Sequence, residues 1–162
     1  MVPFAHEISD LMRESGRPIK IRACDTMGYG VPYPGASLPR SVAGIIYGLR
    51  NYGGFPAELL EWHGHNDFYK AVANSATAWL YGAAGVNCSL LGIGERTGNT
   101  PLEAMVIEYA QLKGSLNGMD PRSSARSPTT TSASSANASR ITRPSWGATS
   151  TSRRRASTPM DC

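Results

Sequence analysis

The sequence predicts an α/β fold of repeated strand-helix units, followed by a C-terminal tail that lies outside the fold. The apolar residues change from the period of two that is typical of strands to the spacing of three and four that is typical of helices, and this change occurs three times. Loops rich in glycine separate the units. From about Asp120 onward the composition shifts to small residues, hydroxyl residues and arginine, which cannot build a core.

A helix precedes the first unit. Apolar residues on one side of residues 8–12 predict a helix that ends near Gly16, and residues 19–24 then alternate like a strand. After a long loop, apolar residues at helical spacing over residues 42–49 predict the next helix, which the glycines of residues 51–54 end. Together the strand and the second helix form the first unit.

Two more units follow. The apolar run within residues 59–65 predicts the second strand, and Asp67 is the expected N-cap of a helix over residues 68–82. Residues 86–91 read as the third strand, and a last helix spans residues 102 to about 113. The strand and helix segments therefore alternate three times.

Repeated units of this kind predict parallel strands with helices packed outside them. The loops that follow the strands then lie at one edge of the sheet, which is the active-site face of a (β/α)8 TIM barrel. Such a barrel needs about 250 residues, and only three units are visible here. We therefore expect residues 1–119 to be an incomplete TIM-barrel domain, made of its last strand-helix units, and residues 120–162 to be a disordered tail.

The composition narrows the class of protein. The three cysteines are widely spaced and form no Cys-x-x-Cys motif, which indicates a reduced chain without a disulfide framework or a zinc ribbon. The first residues lack a basic segment followed by an apolar one, and no run of about 18 apolar residues occurs. We therefore expect a cytoplasmic protein with no signal peptide and no membrane span.

Two histidines at the end of the second strand form a candidate metal site. His63 and His65 are two residues apart on an extended segment, so their side chains project from the same face and both imidazoles can reach one ion. They come directly after an apolar run, at the strand end where barrel enzymes keep their chemistry. The alternative is a chance pair of strand histidines without a ligand.

Three motifs, in this order and spacing, resemble the family of 2-isopropylmalate synthase, homocitrate synthase and Re-type citrate synthase. They are residues 25–28 (Asp-Thr-Met-Gly), residues 63–67 (His-Gly-His-Asn-Asp, with Ala-Val-Ala-Asn-Ser at 71–75 behind it) and residues 92–99 (Gly-Ile-Gly-Glu-Arg-Thr-Gly-Asn). The resemblance covers about residues 19–119. It implies a homodimeric TIM-barrel enzyme that uses a divalent metal ion, manganese, zinc or magnesium, to condense acetyl-CoA with a 2-oxo acid.

The resemblance also implies roles for individual residues. His63 and His65 match the metal-binding pair, Asn99 matches a further ligand near the ion, and Thr26 matches a residue that contacts the carboxylate of the 2-oxo acid. A divalent ion held by such groups can polarise the 2-oxo carbonyl for attack by the enolate of acetyl-CoA.

Four polar residues within these motifs are candidates for a direct or a supporting role. Glu95 is the candidate catalytic carboxylate, and its alternative role is an ion pair with Arg96 that shapes the glycine-rich loop. Asn66 is expected to orient a ligand imidazole, and Asp67 to cap the following helix. We expect Asn66, Asp67 and Arg96 to support the site without reacting.

One part of the family pattern has no match. The family begins with a strand that carries an acidic metal ligand beside an arginine, and nothing before Ile19 resembles it. We therefore expect an open strand edge and no activity of the chain alone. Two alternative functions stay open: a lyase or pyruvate carboxyltransferase of the same superfamily, and a non-catalytic basic fragment.

The tail has two interpretations. Residues 120–162 contain no Leu, Val, Phe, Tyr, Glu or Lys, and their basic charge comes from arginine, which is typical of a disordered segment and would permit nucleic-acid binding. The second interpretation is an out-of-frame translation. Suppose that each true codon is the third base of one listed codon plus the first two bases of the next. The pairs Trp146-Gly147, Met160-Asp161 and Asp161-Cys162 then encode glycine, glycine and leucine, whichever codons are used. The other positions from Arg143 onward permit a string that resembles the segment after the barrel in these synthases. Nucleic acid is then not an expected partner.

Overall fold

The computed structural model describes residues 1–121 and Ser139–Thr142 of the 162-residue chain. Four helices and four strands make up this part of the chain, together with a π-helical turn and two short 3-10 turns. The predicted tail over residues 120–162 lies outside the described residues, except at its first two positions and at the last strand. The elements are α1 (Val2–Ser15), β1 (Ile21–Asp25), α2 (Val42–Tyr47), β2 (Leu60–Gly64), α3 (Ala71–Tyr81), β3 (Gly85–Cys88), α4 (Leu102–Lys113) and β4 (Ser139–Thr142).

The first three strands form a parallel sheet in the order in which they occur along the chain. Ile21 pairs with Leu60 and Asp25 with Gly64, while Glu61 pairs with Gly85. Each strand is followed by a helix, and the carboxyl ends of all three strands lie at the same edge. The predicted α/β fold of parallel strand-helix units, as in the last part of a TIM barrel, is confirmed.

Several element boundaries differ from the sequence prediction. β1 begins at Ile21 rather than at residue 19, and α2 ends at Tyr47, where a π-helical turn follows. Two further differences mark irregular backbone. The helix expected from residue 68 begins at Ala71, because Tyr69 has a positive φ of 57° that interrupts a helix. The third strand ends at Cys88 because residues 90–92 form a 3-10 turn in which Leu91 has a φ of 54°. Both irregular segments follow a strand at its carboxyl end.

The fourth strand, β4, lies within residues 120–162, which the sequence predicted to be a disordered tail. Ser139–Thr142 pairs with β3 in the antiparallel direction, with Ile141 opposite Val86. The backbone N-H and C=O groups of an edge strand can pair with another extended segment, and β4 takes that position beside β3.

The core lies between the sheet and the helices α2, α3 and α4. Trp62 and Val86 project from the sheet into this layer, where they meet Trp79, Met105 and Tyr109. The rings of Trp79 and Tyr109 pack edge to face, with centroids 6.4 Å apart. A second cluster holds α1 against the sheet and is formed by Ala5, Leu49, Phe55 and Leu60.

The opposite face of the sheet is polar. Glu61 is 5% exposed and pairs with Arg22, its register partner on β1, at 2.9 Å and with Lys20 at 3.2 Å. His63 is two residues further along β2 and therefore projects from this same face. Among the described residues, every helix is too short or too polar to span a bilayer.

The helix-facing core can be tested at Trp79. We expect Trp79→Ala to lower the free energy of unfolding by about 3 to 5 kcal/mol, because the substitution leaves a cavity next to Tyr109. Urea unfolding followed by circular dichroism measures this loss. Ile107→Ala on α4 is the control, since Ile107 is 56% exposed, and it should change stability by about 0.5 kcal/mol or less. An equal loss in the two variants would contradict the described core.

Candidate metal and substrate site

Two imidazoles meet at the carboxyl end of β2. The Nε2 atoms of His63 and His65 are 3.1 Å apart, and their rings are nearly perpendicular with centroids 5.0 Å apart. His65 lies just beyond the strand, where its backbone N-H donates to the carbonyl of Asp25 at the end of β1. The predicted projection of both side chains toward one point is therefore present in the fold. These two residues are called the imidazole pair below.

Asn87 on β3 orients the first member of the imidazole pair. It is the register partner of His63, and its Oδ1 lies 3.1 Å from His63 Nδ1. Because an amide oxygen accepts, Nδ1 carries the proton and Nε2 keeps its lone pair. The sequence reasoning missed Asn87, although its polar side chain in the otherwise apolar third strand was a signal.

Burial is the main cause that lowers the pKa of His63 from its ordinary value of 6.5. The hydrogen bond with Asn87 acts in the opposite direction, and the charges of His65 and Arg22 lower the pKa further. The His63 imidazole is therefore neutral at neutral pH. A neutral imidazole is the form that binds a metal ion.

Arg96 connects the loops that follow all three strands. Its guanidinium donates to both carboxylate oxygens of Asp67, from Nε at 2.7 Å and from Nη2 at 3.1 Å. Nη2 also donates to the backbone carbonyl of Thr26, in the loop after β1, and lies 3.1 Å from His65 Nδ1. The hydrogen bond from Arg96 lowers the pKa of Asp67, so this carboxylate stays charged.

Asn66 and Asp67 have other partners in the structure than the sequence predicted. Asn66 Oδ1 accepts from the backbone N-H of Ala71, which begins α3, at 3.2 Å. Asp67 does not cap this helix, because the turn at Tyr69 separates it from Ala71 and its carboxylate is paired with Arg96. The expectation that Asp67 caps the helix and Asn66 orients an imidazole is therefore wrong.

The backbone of Asn99 forms a β-bridge with the backbone of His65, which places Asn99 next to the imidazole pair. Its Oδ1 atom is buried and has no hydrogen-bond partner in the described part of the chain. Gly94 makes room for this amide, since a Cβ at position 94 would lie 2.6 Å from Asn99 Oδ1. An acceptor oxygen without a partner is a group that a cation would satisfy.

Glu95 and Thr26 lie at the exposed rim of the site. The side chain of Glu95 is 75% exposed and approaches Arg96 Nη1 at 3.5 Å, so the ion pair considered from the sequence is present, although Asp67 is the closer partner. Thr26 is exposed and lines an open cavity of about 500 Å³ with Tyr29 and Arg40. This cavity lies against the turn after β1.

The donor set of the imidazole pair fits a divalent metal ion. Two nitrogens that bind one ion at about 2.0 to 2.1 Å each are roughly 3.0 to 3.4 Å apart, and the observed separation is 3.1 Å. Within residues 1–121 no group of three or more His, Cys, Asp and Glu side chains is gathered around a common point. The site therefore holds two converging imidazoles, and the unpartnered amide oxygen belongs to Asn99, whose backbone bridges His65.

The parallel strand-helix units define part of an α/β-barrel domain, and the chain belongs to the HMGL-like family, whose model matches residues 2–129. The chain is 63% identical over 119 residues to the citrate (Re)-synthase of Clostridium kluyveri. The aligned segment covers 74% of the chain and 26% of that protein. It is 58% identical over 119 residues to the citrate (Re)-synthase of Syntrophus aciditrophicus, covering 74% and 19%.

A more distant relative is the 2-isopropylmalate synthase of Pasteurella multocida, which is 37% identical over 98 residues, or 60% of the chain and 18% of that protein. The resemblance stated from the three motifs is confirmed by these comparisons. The chain spans about a quarter or less of the length of the relatives it matches.

The glycine-rich loop, residues 92–99, can be tested at Gly98. Its φ is 98°, and a Cβ there would lie 2.1 Å from the carbonyl oxygen of Gly92. We expect Gly98→Ala to lower the free energy of unfolding by about 2 to 5 kcal/mol, since backbone strain and a steric overlap combine.

Thermal unfolding measures the loss of stability in Gly98→Ala, and Gly16→Ala is the matched control. Gly16 also has a positive φ, of 65°, but a Cβ there meets nothing within 4 Å. We therefore expect a loss of only about 1 to 2 kcal/mol from the conformational strain. A Gly98 variant no less stable than the Gly16 variant would contradict the loop geometry.

Proposed function

We propose that this chain is part of a divalent-metal-dependent acyltransferase that condenses acetyl-CoA with a 2-oxo acid. The observation that carries the proposal is the imidazole pair, whose two Nε2 atoms converge at the carboxyl ends of parallel strands. Membership of the HMGL-like family supports it. In such folds this edge of the sheet is where substrates bind.

The relatives favour a synthase over the alternative reactions. The relatives cited above are named as synthases, which supports condensation rather than a lyase or pyruvate carboxyltransferase reaction. The two with the highest identity are named citrate (Re)-synthases. We therefore propose a 2-oxo acid whose condensation with acetyl-CoA gives citrate.

Each proposed role rests on a contact or an exposure. His63, His65 and Asn99 would hold the metal ion, which when bound supplies the Lewis acidity that polarises the 2-oxo carbonyl. The exposed hydroxyl of Thr26 would bind the carboxylate of the 2-oxo acid. Glu95, whose charge acts on His63, is the exposed carboxylate that would take a proton from the acetyl group.

The proposed condensation needs groups that the described residues do not supply. The described donor set lacks a carboxylate ligand, and the chain covers 26% of the relative that it matches with 63% identity. We therefore propose that the chain alone does not catalyse the condensation. A homodimer and a cytoplasmic location, both expected from the sequence, belong to the same proposal.

Metal titration tests the proposed site. We expect the 162-residue chain to bind Mn²⁺, and His63→Gln and His65→Gln each to weaken binding by about tenfold or more, because each removes one ligand. Isothermal titration calorimetry measures the affinities. His6→Gln is the control, since His6 lies on α1, where its Nε2 is 2.9 Å from the Tyr52 carbonyl oxygen. If Mn²⁺ binding did not depend on His63 and His65, the proposed function would be wrong.

We further propose that residues 120–162 are an out-of-frame translation rather than a basic tail. The similarity to each citrate (Re)-synthase covers 119 residues, or 74% of the chain, and the composition of the chain changes near Asp120. The antiparallel pairing of β4 also departs from the parallel repeat of the other strands. Resequencing the coding DNA tests this: we expect a one-base difference near codon 120, and an undisturbed frame would refute it.

A further inference from the structure

An arginine without a partner lines the open cavity beside the turn after β1. Arg40 and Thr26 both belong to the lining of this cavity, which has a volume of about 500 Å³. Among the described residues, the Arg40 side chain takes part in no salt bridge and no hydrogen bond. A guanidinium is always charged and presents five N-H donors, so it can bind an anion that enters the cavity.

The backbone of Arg40 is held in place while its side chain stays free. The Arg40 N-H donates to the Ser37 carbonyl at 2.9 Å, and the Arg40 carbonyl accepts from the Val31 N-H at 2.8 Å. The next residue, Ser41, is buried and caps α2 through its hydroxyl. Binding through the exposed guanidinium therefore has to order only the side chain and not the loop, which lowers the entropic cost.

Other charged groups near the cavity already have partners. Asp25, which also lines the cavity, closes its own turn, because its Oδ2 accepts from the Gly30 N-H at 2.9 Å. Arg22 and Arg96 each form a salt bridge with a carboxylate. Arg40 is the one cation among the described residues that line the cavity. It is therefore the group that an anionic ligand there would contact.

The proposed function, on which this inference rests, provides a ligand with two carboxylates. Citrate has three carboxylates and the acetyl group brings one of them, so the 2-oxo acid must bring the other two. Thr26 is proposed above to bind the carboxylate next to the oxo group. The second carboxylate then needs a cationic partner in the same cavity. Small-molecule sites commonly measure about 300 to 1,000 Å³, so this cavity is large enough for such an acid.

We propose that Arg40 is a specificity-determining residue that binds the second carboxylate of a dicarboxylic 2-oxo acid. A guanidinium and a carboxylate form two parallel N-H···O bonds, which are strong because both groups are charged. A methyl group at the same position of the ligand accepts no hydrogen bond and leaves the Arg40 charge without a partner. Arg40 therefore favours dicarboxylic over monocarboxylic acids.

Two stable hydroxy acids test this preference on the 162-residue chain. Malate has the second carboxylate, and 2-hydroxybutyrate has a methyl group in its place. NMR titration of the nitrogen-15-labelled chain, without added metal, measures both affinities. We expect malate to bind about tenfold more tightly or better, because only malate forms the charged pair, and to shift the Thr26 and Arg40 signals. Equal binding of the two acids, or no binding of malate, would overturn the proposal.

Arg40→Gln tests the residue itself. We expect this variant to bind malate about tenfold more weakly or worse and to bind 2-hydroxybutyrate within about twofold of wild type, because only the contact with the second carboxylate is lost. Arg17→Gln is the matched control, since Arg17 is an exposed arginine outside the cavity lining, and it should bind malate as the wild type does. An equal loss of malate binding in the two variants would overturn the proposal.

Inorganic phosphate distinguishes a carboxylate site from a general anion site. We expect the wild-type chain to bind phosphate about tenfold more weakly than malate or worse, because phosphate can pair with Arg40 but has no second carboxylate for Thr26. Phosphate binding as tight as malate binding, lost equally in Arg40→Gln, would overturn the proposed selectivity.

The outcomes separate this inference from the proposed function. A chain that binds Mn²⁺ through the imidazole pair but does not prefer malate would overturn the inference alone. A chain that prefers malate through Arg40 but binds no Mn²⁺ would overturn the proposed metal-dependent function, while the dicarboxylate site stands. Circular dichroism checks that each variant is folded, and the two acids on the wild-type chain decide the matter if Arg40→Gln does not fold.

Discussion

The parallel register of β1, β2 and β3 is the constraint on which the rest of the structure depends. It places the ends of three strands at one edge, so that loops far apart in sequence meet there. Asn87 reaches His63 only because the two are register partners on neighbouring strands. A shift of one residue would turn His63 toward the helices and Trp62 toward the polar face. The site therefore exists only while this register is kept.

The backbone features around the imidazole pair follow from the same crowding. The turn after β1 packs on the loop after β2 so closely that a Cβ on Gly28 would lie 3.0 Å from the Asp67 nitrogen. The glycine-rich loop folds back on itself, and its Gly98 carbonyl accepts a hydrogen bond from the backbone N-H of Asn66. Arg96 then lies within reach of three loops because they are already close. Glycine in these segments serves close approach, not flexibility.

The sequence predicted the periodic features and the local motifs of this chain. Apolar spacing predicted all three strands and the helices after them, and the two-residue separation predicted that His63 and His65 face one point. The sequence did not predict the contact of Asn87 with His63 or the several partners of Arg96, because those contacts depend on strand register and on the paths of the loops. The hydrogen bond from the start of α3 to Asn66 rather than to Asp67 has the same cause: both residues suit a helix start, and only the turn at Tyr69 decides between them.

The central claim is that two imidazole nitrogens of this chain bind one divalent cation. Electron spin-echo modulation of the chain loaded with Mn²⁺ counts the histidine nitrogens that are bound directly to the ion. We expect modulation from two imidazoles, which is reduced to one when either His63 or His65 is replaced by glutamine. Modulation from one imidazole or from none in the wild-type chain would contradict this account of the site.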